Sequence, residues 1–227
     1  MDQYISQSSE TDNLSFNLRS LSLISNGISN LKGLSVFLND NKFKNLRKIN
    51  LSCNKINSTS TFKLDIDSNL FFSINSFIFN FNQIQTIDPV FSRFINLNLL
   101  NLANNNINKL ENLNNLNNLK FLYLFENNIQ IIENMNDLYT LLILNLNSNQ
   151  IFKIKNLQSL NKLEILSLSS NKIQKLENLE NLTCLKKLYL SDNNISFFEN
   201  IEYLANLEEL DLSNNFIRNI EIQGMML

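Results

Sequence analysis

Apolar residues recur along this chain at two spacings that take turns. Residues 119–129, LKFLYLFENNI, read Leu119-x-x-Leu122-x-Leu124-x-x-Asn127-x-Ile129. Leu122 and Leu124 alternate with Phe121, Tyr123 and Phe125, the period-two mark of a short strand with two unlike faces. Between such blocks the period becomes three. Ile107, Leu110, Leu113, Leu116 and Leu119 follow one another in this way, as do Ile195, Phe198, Ile201, Leu204 and Leu207. That spacing suits 3₁₀ turns, which have three residues per turn. The pattern predicts short strands joined by short helical or extended turns, without long α-helices.

The block returns nine times. An anchor Asn followed two residues later by Ile falls at Asn26, Asn54, Asn82, Asn105, Asn127, Asn149, Asn171, Asn193 and Asn215. The steps between anchors are 28 residues twice, 23 once and 22 thereafter. A near-constant period in the twenties with L-x-L-x-x-N is the leucine-rich-repeat signature. A strand of a few residues cannot bury its own leucine pair, but stacked copies bury a continuous core. The predicted fold class is α/β: a leucine-rich-repeat solenoid, or horseshoe. It has a parallel concave sheet of about nine short strands and 3₁₀ or irregular turns on the convex side. The anchor amides are expected to form a ladder that satisfies buried loop backbone, a structural role.

Residues 1–17 read as a polar N-terminal segment, in which Leu14 and Phe16, with Leu18, are placed to cap the first repeat. Residues 18–227 read as one repeat domain. Two connections, from Ile28 to Leu46 and from Ile56 to Ile74, are six residues longer than those of the 22-residue repeats. The second loses the three-residue rhythm at Thr59, where a bulge or a longer helical turn is expected. At the far end Ile220, Ile222, Met225 and Met226 stand where a polar cap would be expected. The C-terminal cap therefore reads as missing, through truncation or because a partner covers that edge.

Composition removes several functions. The chain has no His, which excludes Ser-His and Cys-His nucleophiles and His metal ligands. Cys53 and Cys184 lie six repeats apart, roughly 29 Å at strand spacing, beyond disulfide reach. Gly27, Gly33 and Gly224 stand alone, so there is no glycine-rich phosphate loop. The net charge is −2, with acidic and basic residues interspersed along the sequence. No cofactor, metal, nucleic acid, membrane or small-molecule substrate is expected, and no catalytic residue. The absence of a leader and of an 18-residue apolar run points to an intracellular protein, cytoplasmic and/or nuclear. Asn makes up roughly a fifth of the residues; beyond the anchors, as in residues 112–118, it reads as compositional drift.

The outward strand positions vary from copy to copy, and function is sought there. The middle repeats present Ile78, Leu99, Phe121, Tyr123, Phe125, Ile143 and Ile165 together, next to Phe81 and Glu126. An apolar cluster within an open sheet, with polar ends, has the anatomy of a protein-binding hot spot. Tyr189 and Asp211 extend the same face.

The phrases Leu110-Glu-Asn-Leu113, Ile132-Glu-Asn-Met135, Leu176-Glu-Asn-Leu179 and Phe198-Glu-Asn-Ile201, with KKLYLSDNNI and LEELDLSNNFI, carry a family resemblance. The chain resembles the 22-residue class of intracellular leucine-rich repeats, of which the regulatory subunit of type-one protein phosphatase is the best-known member. Axonemal dynein-associated proteins and a spliceosomal ribonucleoprotein subunit share these motifs. The resemblance implies a scaffold that binds a phosphatase catalytic subunit through a concave column of alternating acidic and aromatic residues, a character that Tyr123, Tyr189 and Asp211 fit. The alternative it implies is a structural component of an axonemal dynein complex or a ribonucleoprotein particle.

Overall fold

The computed structural model describes residues 17–39, 43–62 and 69–218. Leu14 and Phe16, assigned to the N-terminal cap, and the apolar residues from Ile220 onward lie outside the described residues.

Nine strands of three residues each are present among the described residues. They are β1 (Ser20–Ser22), β2 (Lys48–Asn50), β3 (Ser76–Ile78), β4 (Leu99–Asn101), β5 (Phe121–Tyr123), β6 (Ile143–Asn145), β7 (Ile165–Ser167), β8 (Lys187–Tyr189) and β9 (Glu209–Asp211). They form one parallel sheet in sequential order. The central residue of each strand points inward, and these residues pair in step: Leu21 with Ile49, Ile49 with Phe77, Phe77 with Leu100, and so on to Leu188 with Leu210. A slip of one residue would turn this row out to solvent, which is what fixes the register.

Among the described residues, each of the two long connections places a helix opposite the sheet. The first holds α1 (Lys32–Leu38) and the second α2 (Leu70–Ser73). The second connection thus holds a short helical turn, eleven residues past the break in rhythm at Thr59, and the first holds a longer helix. Before β4 a 3₁₀ turn spans Pro89–Arg93. Pro starts it, and the Asp88 carboxylate accepts from the Val90 N–H at 2.9 Å. From β5 onward each return path closes with backbone bonds to the residue three before it: Leu138 to Met135, Leu141 to Leu138, Leu160 to Leu157 and Leu163 to Leu160. The three-residue apolar period is the side-chain image of these bonds.

The core changes composition along its length. In the first three repeats Phe62, Phe77, Phe79, Phe91 and Phe94 are fully buried. Phe77 meets Phe94 edge-on at 4.7 Å and 83°, and Phe91 at 5.7 Å and 87°, arrangements that add to the stabilisation from burial alone. The narrow coils are filled by Leu and Ile, such as Leu122, Leu144, Leu166 and Leu188.

The anchor ladder is present. The Asn149 Oδ1 accepts from the Ile129 N–H at 2.9 Å. Its Nδ2 donates to the carbonyls of Leu124, Leu146 and Asn147 at 3.0, 3.1 and 3.1 Å. Each anchor from Asn54 to Asn215 bridges to the repeat before it in this way. Asn26, the first anchor, donates to Ile24 of its own repeat.

A second ladder gives five of the Asn residues beyond the anchors, Asn112 among them, a structural role in place of compositional drift. Asn112, Asn134, Asn156, Asn178 and Asn200 each hold a left-handed backbone, with φ between 57° and 60°. Each donates its side-chain N–H to a carbonyl of the preceding coil at 2.6–2.7 Å: Ile87, Leu110, Ile132, Ile154 and Leu176 in turn. Asn is the non-glycine residue best suited to this conformation, because its short polar side chain bonds locally.

Candidate protein-binding face

Parallel pairing sets the outward residues in rows across the sheet. Leu99, Phe121, Ile143 and Ile165 are successive register partners on β4 to β7 and form one unbroken apolar row. The parallel row two residues later reads Ile78, Asn101, Tyr123, Asn145, Ser167, Tyr189 and Asp211. Tyr123 therefore stands beside Phe121, with Phe125 and Glu126 following in the same repeat. Ile78 is separated from Tyr123 by Asn101. Tyr189 and Asp211 are neighbours but stand apart from Tyr123, with Asn145 and Ser167 between. The ten sequence-derived residues thus form an apolar centre and a separate polar end.

All ten are half-buried except Glu126, which is exposed. Side chains on strands about 4.8 Å apart cover each other's flanks. Part of the polar row is engaged by its own backbone. Asn101 accepts from the Ala103 N–H at 3.1 Å, and Asn145 from the Asn147 N–H at 3.0 Å. Asp211 takes the Ser213 N–H at 3.0 Å and its hydroxyl at 2.6 Å.

The residue before each anchor adopts a left-handed backbone, with φ between 52° and 58° at Ser25, Cys53, Phe81, Asn104, Glu126, Ser148, Ser170, Asp192 and Asn214. The conformation costs an L-residue about 1–2 kcal/mol and is held by a bond to the next repeat, as from the Phe81 N–H to Ala103 O at 3.1 Å. Phe81, 53% exposed, is thereby held out to solvent on the margin of the apolar centre. Cys53 is exposed on the same turn, and Cys184 is exposed elsewhere; both are free thiols.

The polar end is an ionic network. Lys187 Nζ lies 2.9 Å from Glu209 Oε2, and Lys186 Nζ 2.9 Å from Glu164 Oε2. The bond from Lys187, then that from the Tyr189 hydroxyl, holds the Glu209 carboxyl below its ordinary range. The Ser213 hydroxyl does the same for Asp211. Desolvation, then the bond to Glu209, pushes the Tyr189 hydroxyl up.

Elsewhere, an open depression of about 250 Å³ lies among Glu177, Asn178, Glu180, Asn200 and Tyr203. Among the described residues no cluster of His, Cys, Asp and Glu is arranged to hold a metal, and no helix is long and apolar enough to cross a membrane. Sequence reasoning missed the exposed apolar side chains opposite the sheet, such as Phe37, Phe72, Ile95 and Tyr139. They fall off the three-residue period, which was the available signal.

A family model for leucine-rich repeats in two copies matches residues 161–202 and 185–224. The strands of the described residues stack in sequence order in one sheet from β1 to β9. The fold is a leucine-rich-repeat solenoid. No curated protein matches the chain by sequence. Among solved structures, internalin C2 from Listeria monocytogenes is 26% identical, with a TM-score of 0.71 over 86% of this chain and 80% of that one. A leucine-rich-repeat protein from Leptospira interrogans is 30% identical, with a TM-score of 0.70 over 88% of this chain and 55% of that one. The TLR13 chain of a TLR13–ssRNA13 complex is 26% identical, with a TM-score of 0.70 over 87% of this chain and 33% of that one. The solenoid thus spans about half the length of the Leptospira protein and a third of TLR13. With 390 solved chains matching, the fold is that of an interaction module and does not by itself name a partner.

Proposed function

We propose that this solenoid is a non-catalytic scaffold that binds a partner protein through its concave sheet face, with Phe121, Tyr123 and Phe125 at the centre of contact. The observation that carries the proposal is the unbroken row of Leu99, Phe121, Ile143 and Ile165 with Tyr123 beside it. Scattered surface apolar residues need no explanation, whereas a contiguous group rimmed by polar ones does. An RNA ligand, as in the TLR13 complex, is the less favoured class, because the centre of this face is apolar and the phosphate backbone calls for basic residues throughout.

The partner to test first is the catalytic subunit of a type-one phosphatase, on the strength of the repeat phrases. The alternative is a structural place in an axonemal dynein complex or a ribonucleoprotein particle. A cytoplasmic or nuclear location accords with two exposed free thiols. Pull-down from the native cell separates these readings, since phosphatase catalytic subunit favours the first and tubulin, dynein chains or ribonucleoprotein components the second. The surface itself is tested with Tyr123→Ala combined with Phe125→Ala. The double variant should keep the unfolding midpoint and lose partner affinity by at least about tenfold, as truncation of aromatic anchors does. Unchanged recovery by a folded double variant would remove this patch as the binding site.

A further inference from the structure

The charges that alternate along the sequence are sorted by position on the sheet face. The relevant surface in each repeat is the residue before the strand, the two outward strand residues and the next outward and turn positions. In repeats 1 and 2 these positions hold Arg19, Arg47 and Lys48, with no acidic residue. Repeats 3, 4 and 6 hold no charge there, and repeat 5 holds one of each sign, Lys120 and Glu126. Repeats 7 to 9 hold Glu164, Asp192, Glu208, Glu209 and Asp211 against Lys186 and Lys187. The two lysines are paired with Glu164 and Glu209 at 2.9 Å each, so Asp192, Glu208 and Asp211 set the sign of that end. The face runs from basic through apolar to acidic.

We infer that it takes one elongated segment of a partner protein in a single orientation, with an acidic end over β1 and β2, an apolar centre over β4 to β7 and a basic end over β8 and β9. The inference rests on the concave-face reading and adds polarity to it. Complementary charge at the two ends steers the encounter, and like charge at either end rejects the reversed orientation. From β2 to β9 the face measures about 34 Å at strand spacing, the length of a helix of about 22 residues. A second copy of this chain would also match in charge, by a two-fold axis through β5. Two inward-curving faces, however, meet at their rims and leave their apolar centres apart, so an isologous pair does not bury the row that needs covering.

The test is selection of a random 24-residue peptide library on the immobilised full chain at low salt. Enriched peptides are then synthesised and their binding is measured by fluorescence anisotropy. Enriched sequences should carry acidic residues toward one end, apolar residues in the middle and basic residues toward the other. Arg19→Glu with Lys48→Glu, or Asp192→Lys with Glu208→Lys, should each weaken binding about tenfold. The four changes together should favour peptides of the opposite polarity. Melting curves check that each variant folds. Peptides that respond to Tyr123→Ala with Phe125→Ala but show no end preference would overturn the orientation and leave the face as the binding site. Peptides indifferent to that pair, or no enrichment at all, would count against both. A concentration-dependent dimer in sedimentation velocity, abolished by either charge reversal, would make the occupant a second copy and overturn the inference.

Discussion

The first three repeats and the last six build the same sheet from different return paths. Between β1 and β3 the chain spends 28 residues per coil, adds α1 and α2 opposite the sheet and fills the wider section with Phe62, Phe71 and Phe77. From β4 onward it spends 22, uses turns and fills the section with Leu and Ile. The register does not notice: Phe77 pairs with Leu100 as Leu122 pairs with Leu144. Strand pairing and the anchor amides set the sheet, and the opposite side absorbs the length. The face that carries function is thereby uncoupled from the part of the chain that varies in size.

The strongest way to break this equivalence is to empty one coil of each kind. Phe77 and Leu144 are the fully buried inward residues of β3 and β6. Phe77→Ala should cost about 3–5 kcal/mol and Leu144→Ala about 2–5 kcal/mol, measured by denaturant unfolding. Stacked coils unfold in segments when one is weakened. A spectroscopic probe placed in each half should therefore report the nearer lesion first. A loss below about 2 kcal/mol for Phe77→Ala would mean that the aromatic coils are loosely packed and that the wide region is not the equal of the narrow one.

A smaller effect separates the ends from the middle. Asn149 links two repeats through four hydrogen bonds, three of them donated by its amide. Asn149→Ala leaves buried backbone groups without partners and should cost about 1–3 kcal/mol. The Asn26 side chain is exposed and bonds only Ile24 of its own repeat among the interactions described, while its backbone N–H, which Ala keeps, donates to Asn54, so Asn26→Ala should cost less than about 1 kcal/mol. Equal losses would mean that the anchor acts within its own turn and not as a rung between coils.

The anchors were legible in the sequence because they recur with a fixed apolar partner, as Asn149 does with Ile151. The inward and outward columns followed from period two, and the register from the repeat step. The second ladder was also written at a fixed place, seven residues after each anchor from Asn105 to Asn193, in Leu110-Glu-Asn-Leu113 and its copies. It was missed because an amide that bonds the coil behind it leaves no apolar signature. Helix α1 was missed for a related reason: its first turn has no acidic residue and Leu31 makes no side-chain cap. The columns told which residues share the open face. They did not tell that Asn101 and Asn145 would be held by their own backbone, nor that charges interspersed in sequence would sort into a basic and an acidic end.

The second ladder gives the next comparison, between the two rows of Asn. Asn156 has φ 60° and donates to Ile132 O at 2.7 Å. Asn156→Ala loses that bond and leaves a β-carbon in the left-handed region without the local polar contact that lets Asn tolerate it, with an expected cost of about 1–2 kcal/mol. Asn156→Gly loses the bond but also removes the β-carbon from that region, and should cost less. If Gly and Ala are equal, the bond decides the position; if Gly matches the wild type, the backbone conformation does.

The smallest expected effect concerns the acidic end. Lys187 holds the Glu209 carboxyl below its ordinary range, so its folded pKa lies under its unfolded value of about 4.3. A depressed carboxylate adds stability above the unfolded pKa, and that contribution is lost as pH falls through the folded one. The C-terminal repeats should therefore lose stability from about pH 4.3 downward. Glu209→Gln should flatten that part of the curve and converge with the wild type at lower pH. The group is exposed, and exposed pairs contribute little and are screened by salt. The difference should accordingly shrink as salt is added, while the differences at Phe77 and Asn149 should not. If the Glu209→Gln effect survived high salt, the pair would be acting by holding β8 to β9 through geometry, and the acidic end would belong to the scaffold and not to the binding face.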